Sequence, residues 1–118
     1  MMHQNGIAKL NCKFPRRRAM LRNQVIHLIT YGHLVTTKAR VKEVRRLAEK
    51  LVTVARAGNN FNARRRAYAM IPYKKEALLK LFNEIAPRYV DRPGGYTRMI
   101  PMGTRTSDTA TIARLEWV

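Results

Sequence analysis

Residues 96–118, YTRMIPMGTRTSDTATIARLEWV, decide the fold class. They hold two β-like runs, Tyr96 to Met102 and Thr109 to Val118, separated by Gly103 to Asp108, a turn of hairpin length. In the second run Ala113, Leu115 and Trp117 alternate with Arg114 and Glu116, as a strand with one buried face requires. Without this segment the chain reads as a string of helices with a single short strand.

Upstream, Pro87, Pro93, Gly94 and Gly95 define a loop through which no helix or strand is expected to continue. Before it, Leu78, Leu81, Phe82 and Ile85 stand at i, i+3, i+4, i+7 and predict a fourth helix over 73–86. Glu76 and Lys80, and Glu84 and Arg88, have the spacing of helical ion pairs. Asn59 to Asn62 is a turn cluster, and Asn60 or Asn62 can cap a short third helix that runs to Met70, before Pro72. The second helix is predicted over 38–57, capped by Thr37 and ended by Gly58. Its apolar face is Val41, Val44, Leu47, Ala48, Leu51 and Ala55, and Lys38, Lys42, Arg45 and Arg56 form a basic stripe opposite. Glu49 interrupts that stripe, four residues after Arg45. His33 to Thr37 reads as a short strand rich in β-branched residues. The first helix, from Pro15 to Tyr31, buries Leu21, Val25, Leu28 and Ile29 and stops at Gly32. Residues 1–14 lack a hydrophobic period and read as an extended arm. The expectation is an α+β fold: an N-terminal arm over 1–14, then one domain over 15–118. In that domain about four helices pack on one side of a small sheet of about three strands, the short strand after the first helix plus the C-terminal hairpin.

Twenty-four Lys and Arg face seven Asp and Glu in 118 residues, a net charge of +17. A protein this basic sits beside a polyanion or repels itself strongly. Nucleic acid is the commonest such polyanion, because each neutralised phosphate releases condensed counterions. With 46% apolar residues the chain can bury a core and is not merely a basic tail. One cysteine, Cys12, permits no intrachain disulfide and fits a reducing compartment. No apolar run reaches the roughly 18 residues of a membrane span, and the first residues lack the apolar centre of a signal peptide. The chain reads as a soluble intracellular protein with no membrane contact.

Catalysis finds little support. Three histidines and one cysteine show neither HExxH nor CxxC spacing, so no metal site is expected. GxSxG, Walker A and GxGxxG motifs are absent, and the carboxylates lie mostly where a neighbouring base can pair with them. No cofactor and no small-molecule substrate are expected, and the chain reads as a non-enzyme.

The basic residues fall into groups. Arg16, Arg17 and Arg18, with Arg22 a turn later, stand at a helix start, where free N–H groups already favour anions. Arg64, Arg65 and Arg66 repeat the triplet in the third helix. Arginine's fork of donors suits phosphate oxygens, whereas plain solubility would be served as well by Lys and Glu. Lys38, Lys42 and Arg45 form the second-helix stripe. In the Pro-Gly-Gly loop Arg88, Arg92 and Arg98 surround Tyr89 and Tyr96, and such interleaving suits irregular RNA, which offers base planes and backbone together. Tyr96 is the aromatic expected to touch RNA. Two rival classes are a sequence-specific DNA-binding regulator, whose nearest candidate recognition helix is 59–70, and an RNA-processing enzyme.

The run Leu81 to Arg98, LFNEIAPRYVDRPGGYTR, resembles the signature of the bacterial large-subunit ribosomal protein family numbered seventeen. Arg18 to Asn23 (RAMLRN) is similar to its first-helix motif. Thr36-Thr37, Lys42-Glu43 and Leu47 to Leu51 (LAEKL) resemble its strand-to-helix segment, and Leu115 to Val118 its last strand. Together these cover about residues 16–118. The resemblance implies an α+β structural constituent of the large ribosomal subunit that binds and packs large-subunit rRNA near the peptide tunnel exit. It also implies contact with neighbouring large-subunit proteins, among them protein thirty-two, and a ribosome-bound location in a bacterial cytoplasm. The start departs from the pattern: residues 1–11 keep His3, Gly6 and Leu10 but lose most of the charge of the family's basic arm.

Overall fold

The computed structural model describes residues 9–118. Helix α1 spans Phe14–Tyr31 and ends where Gly32 turns left-handed (φ 82°), its N–H bonded to the Leu28 carbonyl. Strand β1 (His33–Thr37) follows at once, then helix α2 (Lys38–Ala55) and helix α3 (Phe61–Met70). The expected cap on α3 is present: the Asn60 side chain accepts the Ala63 N–H at 2.9 Å. The expected cap on α2 is not, since the Thr37 hydroxyl makes no capping bond. Of the expected arm, residues 1–8 lie outside the described residues. Phe14 belongs to α1, one residue before the expected start.

The fourth helix corrects the expectation most. Helix α4 (Lys75–Lys80) starts two residues late, because Lys74 holds a left-handed conformation (φ 83°). It then passes without a break into a π-helical turn, Leu81–Ile85, and a 3-10 turn, Ala86–Tyr89. Pro87 therefore does not end the helical path. The widened turn bonds the Ala86 N–H to the Leu81 carbonyl, and the proline sits in the first positions of the next turn, where no N–H is required. The same change of register alters which side chains stack around Glu84 and Arg88. Neither expected ion pair forms among the described residues, and Lys80 Nζ donates instead to the Thr30 carbonyl at 2.8 Å.

Strands β2 (Thr97–Thr104) and β3 (Thr111–Trp117) complete an antiparallel sheet of order β1-β3-β2. Leu34 pairs with Leu115 on one side of β3, and Met99 with Leu115 on the other. Strand β2 runs two residues into the expected turn, with a register shift between Pro101 and Thr104. Helix α2 lies across one face of the sheet and touches all three strands, with α1 and α3 against its flanks. The core is therefore an α2-centred layer: Val41, Val44, Ala48, Leu51 and Val52 meet Ala113, Leu115 and Trp117 from the sheet and Val25, Leu28 and Ile29 from α1. Leu47 is only half-buried, and Val52 takes the inner place. Trp117 ties its layer together by donating Nε1–H to the Leu28 carbonyl at 3.3 Å. The outer sheet face carries an ion-pair row, Arg98–Glu116 at 3.4 Å and Arg114–Glu116 at 4.0 Å.

Candidate nucleic-acid interface

Packing α1 against α2 brings distant basic residues together. Arg17, Arg18 and Arg22 of α1 line a groove with Arg46 and Lys50 of α2, over a floor of Phe14, Leu21, Leu47 and Met70. Arg17 and Arg18 hold their guanidinium carbons 5.4 and 5.8 Å from the Phe14 ring centroid. This stacking places their planar donors at the groove edge. Sequence reasoning missed Arg46 and Lys50. They fall with Glu43 and Leu47 at i, i+3, i+4, i+7 along α2, a line between its apolar face and the stripe of Lys38 and Lys42. That spacing is a usable signal once α1 is known to lie there. One carboxylate enters this groove: Glu43, 7% exposed, pairs with Arg46 at 3.7 Å.

The second group is Lys38 and Lys42, both exposed beside Thr111 of β3. Arg45 of the same expected stripe is engaged locally, 3.5 Å from Glu49. The third group is the triplet Arg64, Arg65 and Arg66. All three are exposed, and among the described residues none lies within ion-pair distance of a carboxylate. Arg16 is exposed at the start of α1, apart from the groove.

The fourth group, the Pro-Gly-Gly loop, is built differently from the expectation. Arg88 and Arg92 are exposed, and Arg92 Nε donates to the Gly94 carbonyl at 3.2 Å. Arg98 leaves the loop for the outer sheet face, paired with Glu116. Tyr96 is 1% exposed, so its ring has no face to offer an RNA base, which corrects its expected role. Instead it anchors the loop. Glu49 Oε1 accepts the Tyr96 N–H at 2.9 Å, and Arg56 Nη1 donates to the Tyr96 hydroxyl at 3.1 Å. Arg56 Nη2 also donates to the Val90 carbonyl at 2.9 Å. Arg56 of the expected basic stripe is therefore a clamp on the loop. Tyr89 is buried too, its ring centroid 5.2 Å from that of Tyr96, and its hydroxyl donates to the Val118 carbonyl at 2.9 Å. Burial raises the Tyr89 phenol above its ordinary range, with Arg88 and Arg92 opposing the shift. Gly95, at φ 64°, gives the chain the left-handed step that turns Tyr96 inward.

Among the described residues no group of three or more His, Cys, Asp or Glu is placed to hold a metal ion, and no helix is long and apolar enough to cross a membrane. The site is thus a set of separated cationic surfaces on one α+β body. These are the features of a strongly basic structural protein. A family model described as ribosomal protein L17 matches residues 20–118, and the chain belongs to that family. The chain is similar to proteins named large ribosomal subunit protein bL17 along nearly its whole length. It is 47% identical to that of Desulforudis audaxviator over 113 residues, covering 96% of this chain and 99% of the relative. It is 46% identical to that of Thermoanaerobacter sp. over 113 residues, with the same coverage. It is 45% identical to that of Sulfurimonas denitrificans over 118 residues, covering both chains fully. The family is one of ribosomal structural proteins, and the chain is not an enzyme.

Proposed function

We propose that this chain is a structural component of the large ribosomal subunit that binds and packs large-subunit rRNA. The observation that carries this reading is the layout of its cations. Arg17, Arg18, Arg22, Arg46 and Lys50 line one groove, Lys38 and Lys42 lie beside the start of β3, Arg64 to Arg66 lie on α3, and Arg88 and Arg92 lie on the loop. Separated clusters on one small body can each neutralise a different backbone segment, so that segments which repel one another pack together. Such contacts go mainly to phosphate and sugar, and they fix position more than they read sequence. Family membership and the names of the relatives support the ribosomal setting and a ribosome-bound place in a bacterial cytoplasm. The family resemblance of the Leu81 to Arg98 run supports the finer placement near the peptide tunnel exit, beside protein thirty-two of the large subunit.

Sedimentation of cell extract through a gradient tests the reading, with the chain followed by antibody. The chain is expected in the large-subunit and whole-ribosome fractions, and to persist there after a moderate salt wash. Recovery only in the free-protein fractions would overturn it.

A further inference from the structure

Helices α3 and α4 line a second groove, of about 540 Å³, whose apolar and aromatic surface the phosphate-binding reading does not use. Its walls are two matching stripes. Phe61, Arg64, Arg65 and Tyr68 of α3 stand at i, i+3, i+4, i+7, and so do Lys75, Leu78, Leu79 and Phe82 from α4 and the turn that continues it. Phe61 is 67% exposed, and Tyr68 and Leu79 are exposed as well. An apolar surface left open on so small a protein marks a place of contact.

The chemistry of the lining selects the partner. Arg64, Arg65 and Lys75 face the groove and, among the described residues, no carboxylate lines it, so the occupant carries negative charge. Phe61 and Tyr68 offer flat π faces, and the Arg65 guanidinium carbon lies 6.0 Å from the Phe61 ring centroid. Aromatic planes beside arginines are what unstacked bases require, whereas a duplex keeps its base faces covered. Phe61 and Tyr68 are two helical turns apart, about 10.5 Å of rise, which leaves room for a short run of nucleotides.

We infer that the groove between α3 and α4 binds unpaired RNA, with bases stacked on Phe61 and Tyr68 and flanking phosphates on Arg64, Arg65 and Lys75. This deepens the RNA-binding reading and rests on it. Both rings are exposed and Asn60 caps α3 independently of them, so removing a ring leaves the fold in place.

The test uses the full chain with a short unstructured RNA oligonucleotide and with the same strand annealed into a duplex. Affinities are read by fluorescence anisotropy across a salt series. Phe61→Leu and Tyr68→Leu keep apolar bulk but remove the π face, and each is expected to weaken single-strand binding about fivefold or more. Duplex affinity and the salt slope stay unchanged, and Phe61→Tyr binds like the parent. Leucine variants that bind the single strand as the parent does overturn the inference, because bulk alone would then suffice, as in a groove for an apolar protein segment. Equal losses on single strand and duplex overturn it too. The two readings fail differently. A parent chain with no salt-dependent RNA affinity defeats both, whereas silent leucine variants beside an Arg64→Gln variant of shallower slope defeat only the groove.

Discussion

Replacing Tyr96 by Phe separates the two roles this residue could play, RNA contact and loop anchor. The substitution removes one hydroxyl and leaves the ring, its packing on Tyr89 and the bond from the Tyr96 N–H to Glu49 in place. It abolishes the 3.1 Å bond from Arg56 Nη1. A hydrogen bond to a charged group contributes about 1.5–3 kcal/mol when well buried. Here Arg56 is half-buried and keeps the Val90 carbonyl, so the expected loss is about 1 kcal/mol. For a chain of this length that lowers Tm by about 4 °C. Tyr96→Ala removes the fully buried ring as well and should cost about 4 kcal/mol, through the missing packing and the cavity left behind. Urea unfolding followed by circular dichroism measures both losses, and anisotropy with an rRNA fragment measures binding. Tyr96→Phe is expected to shift the unfolding midpoint and leave RNA affinity unaltered. An altered affinity with an unshifted midpoint would refute the anchoring role and return Tyr96 to the RNA surface.

Further outcomes concern the α3 cap and the hairpin. Asn60→Ala should destabilise the chain by about 1 kcal/mol through loss of its bond to the Ala63 N–H. Asn62→Ala, on an exposed side chain with no such bond, should stay within about 0.5 kcal/mol in the same thermal melts. In the hairpin, Arg105 donates from Nε and Nη2 to the Asp108 carboxylate at 3.0 and 2.7 Å. Those bonds, with the Ala110 N–H, hold its carboxyl at about 2, below the ordinary 3.8. Because the folded value is depressed, this contribution to the closed turn is present above pH 3.8 and is lost as pH falls through about 2. Carboxyl chemical shifts followed by NMR during an acid titration should show that low midpoint, and Arg105→Gln should raise it toward the ordinary value. An unmoved midpoint would separate Asp108 from Arg105.

The elements that can be read from the sequence are those whose ends are fixed by local chemistry. Gly32 stops α1 by adopting a conformation other residues resist, and Asn60 starts α3 with its own side chain, so both boundaries are visible in single residues. The alternation of Ala113, Leu115 and Trp117 with Arg114 and Glu116 likewise marks the inner face of β3. What the sequence hides depends on partners far along the chain. Pro87 is tolerated because a π-helical turn precedes it, and no local propensity encodes that turn. Tyr96 follows two glycines among arginines and looks solvent-facing. Glu49 and Arg56, which are 47 and 40 residues away, hold it inside through bonds that the local sequence does not reveal. The charge pattern shows which helices carry arginine but not how they converge. Arg46 and Lys50 join Arg17, Arg18 and Arg22 only because α1 packs beside α2. Arg45, Arg56 and Arg98 illustrate the converse, since each has an intrachain partner that spacing alone does not rank above RNA.

The central claim is that dispersed arginines meet rRNA phosphates, and the salt dependence of binding tests it most directly. The affinity of the full chain for a large-subunit rRNA fragment should fall linearly in a plot of log K against log salt, with a steep slope. Each neutralised phosphate adds about 0.7–0.9 to that slope, so replacing Arg64, Arg65 and Arg66 together by Gln should flatten it by about two. An affinity independent of salt, or a slope the triple replacement leaves unchanged, would contradict the account.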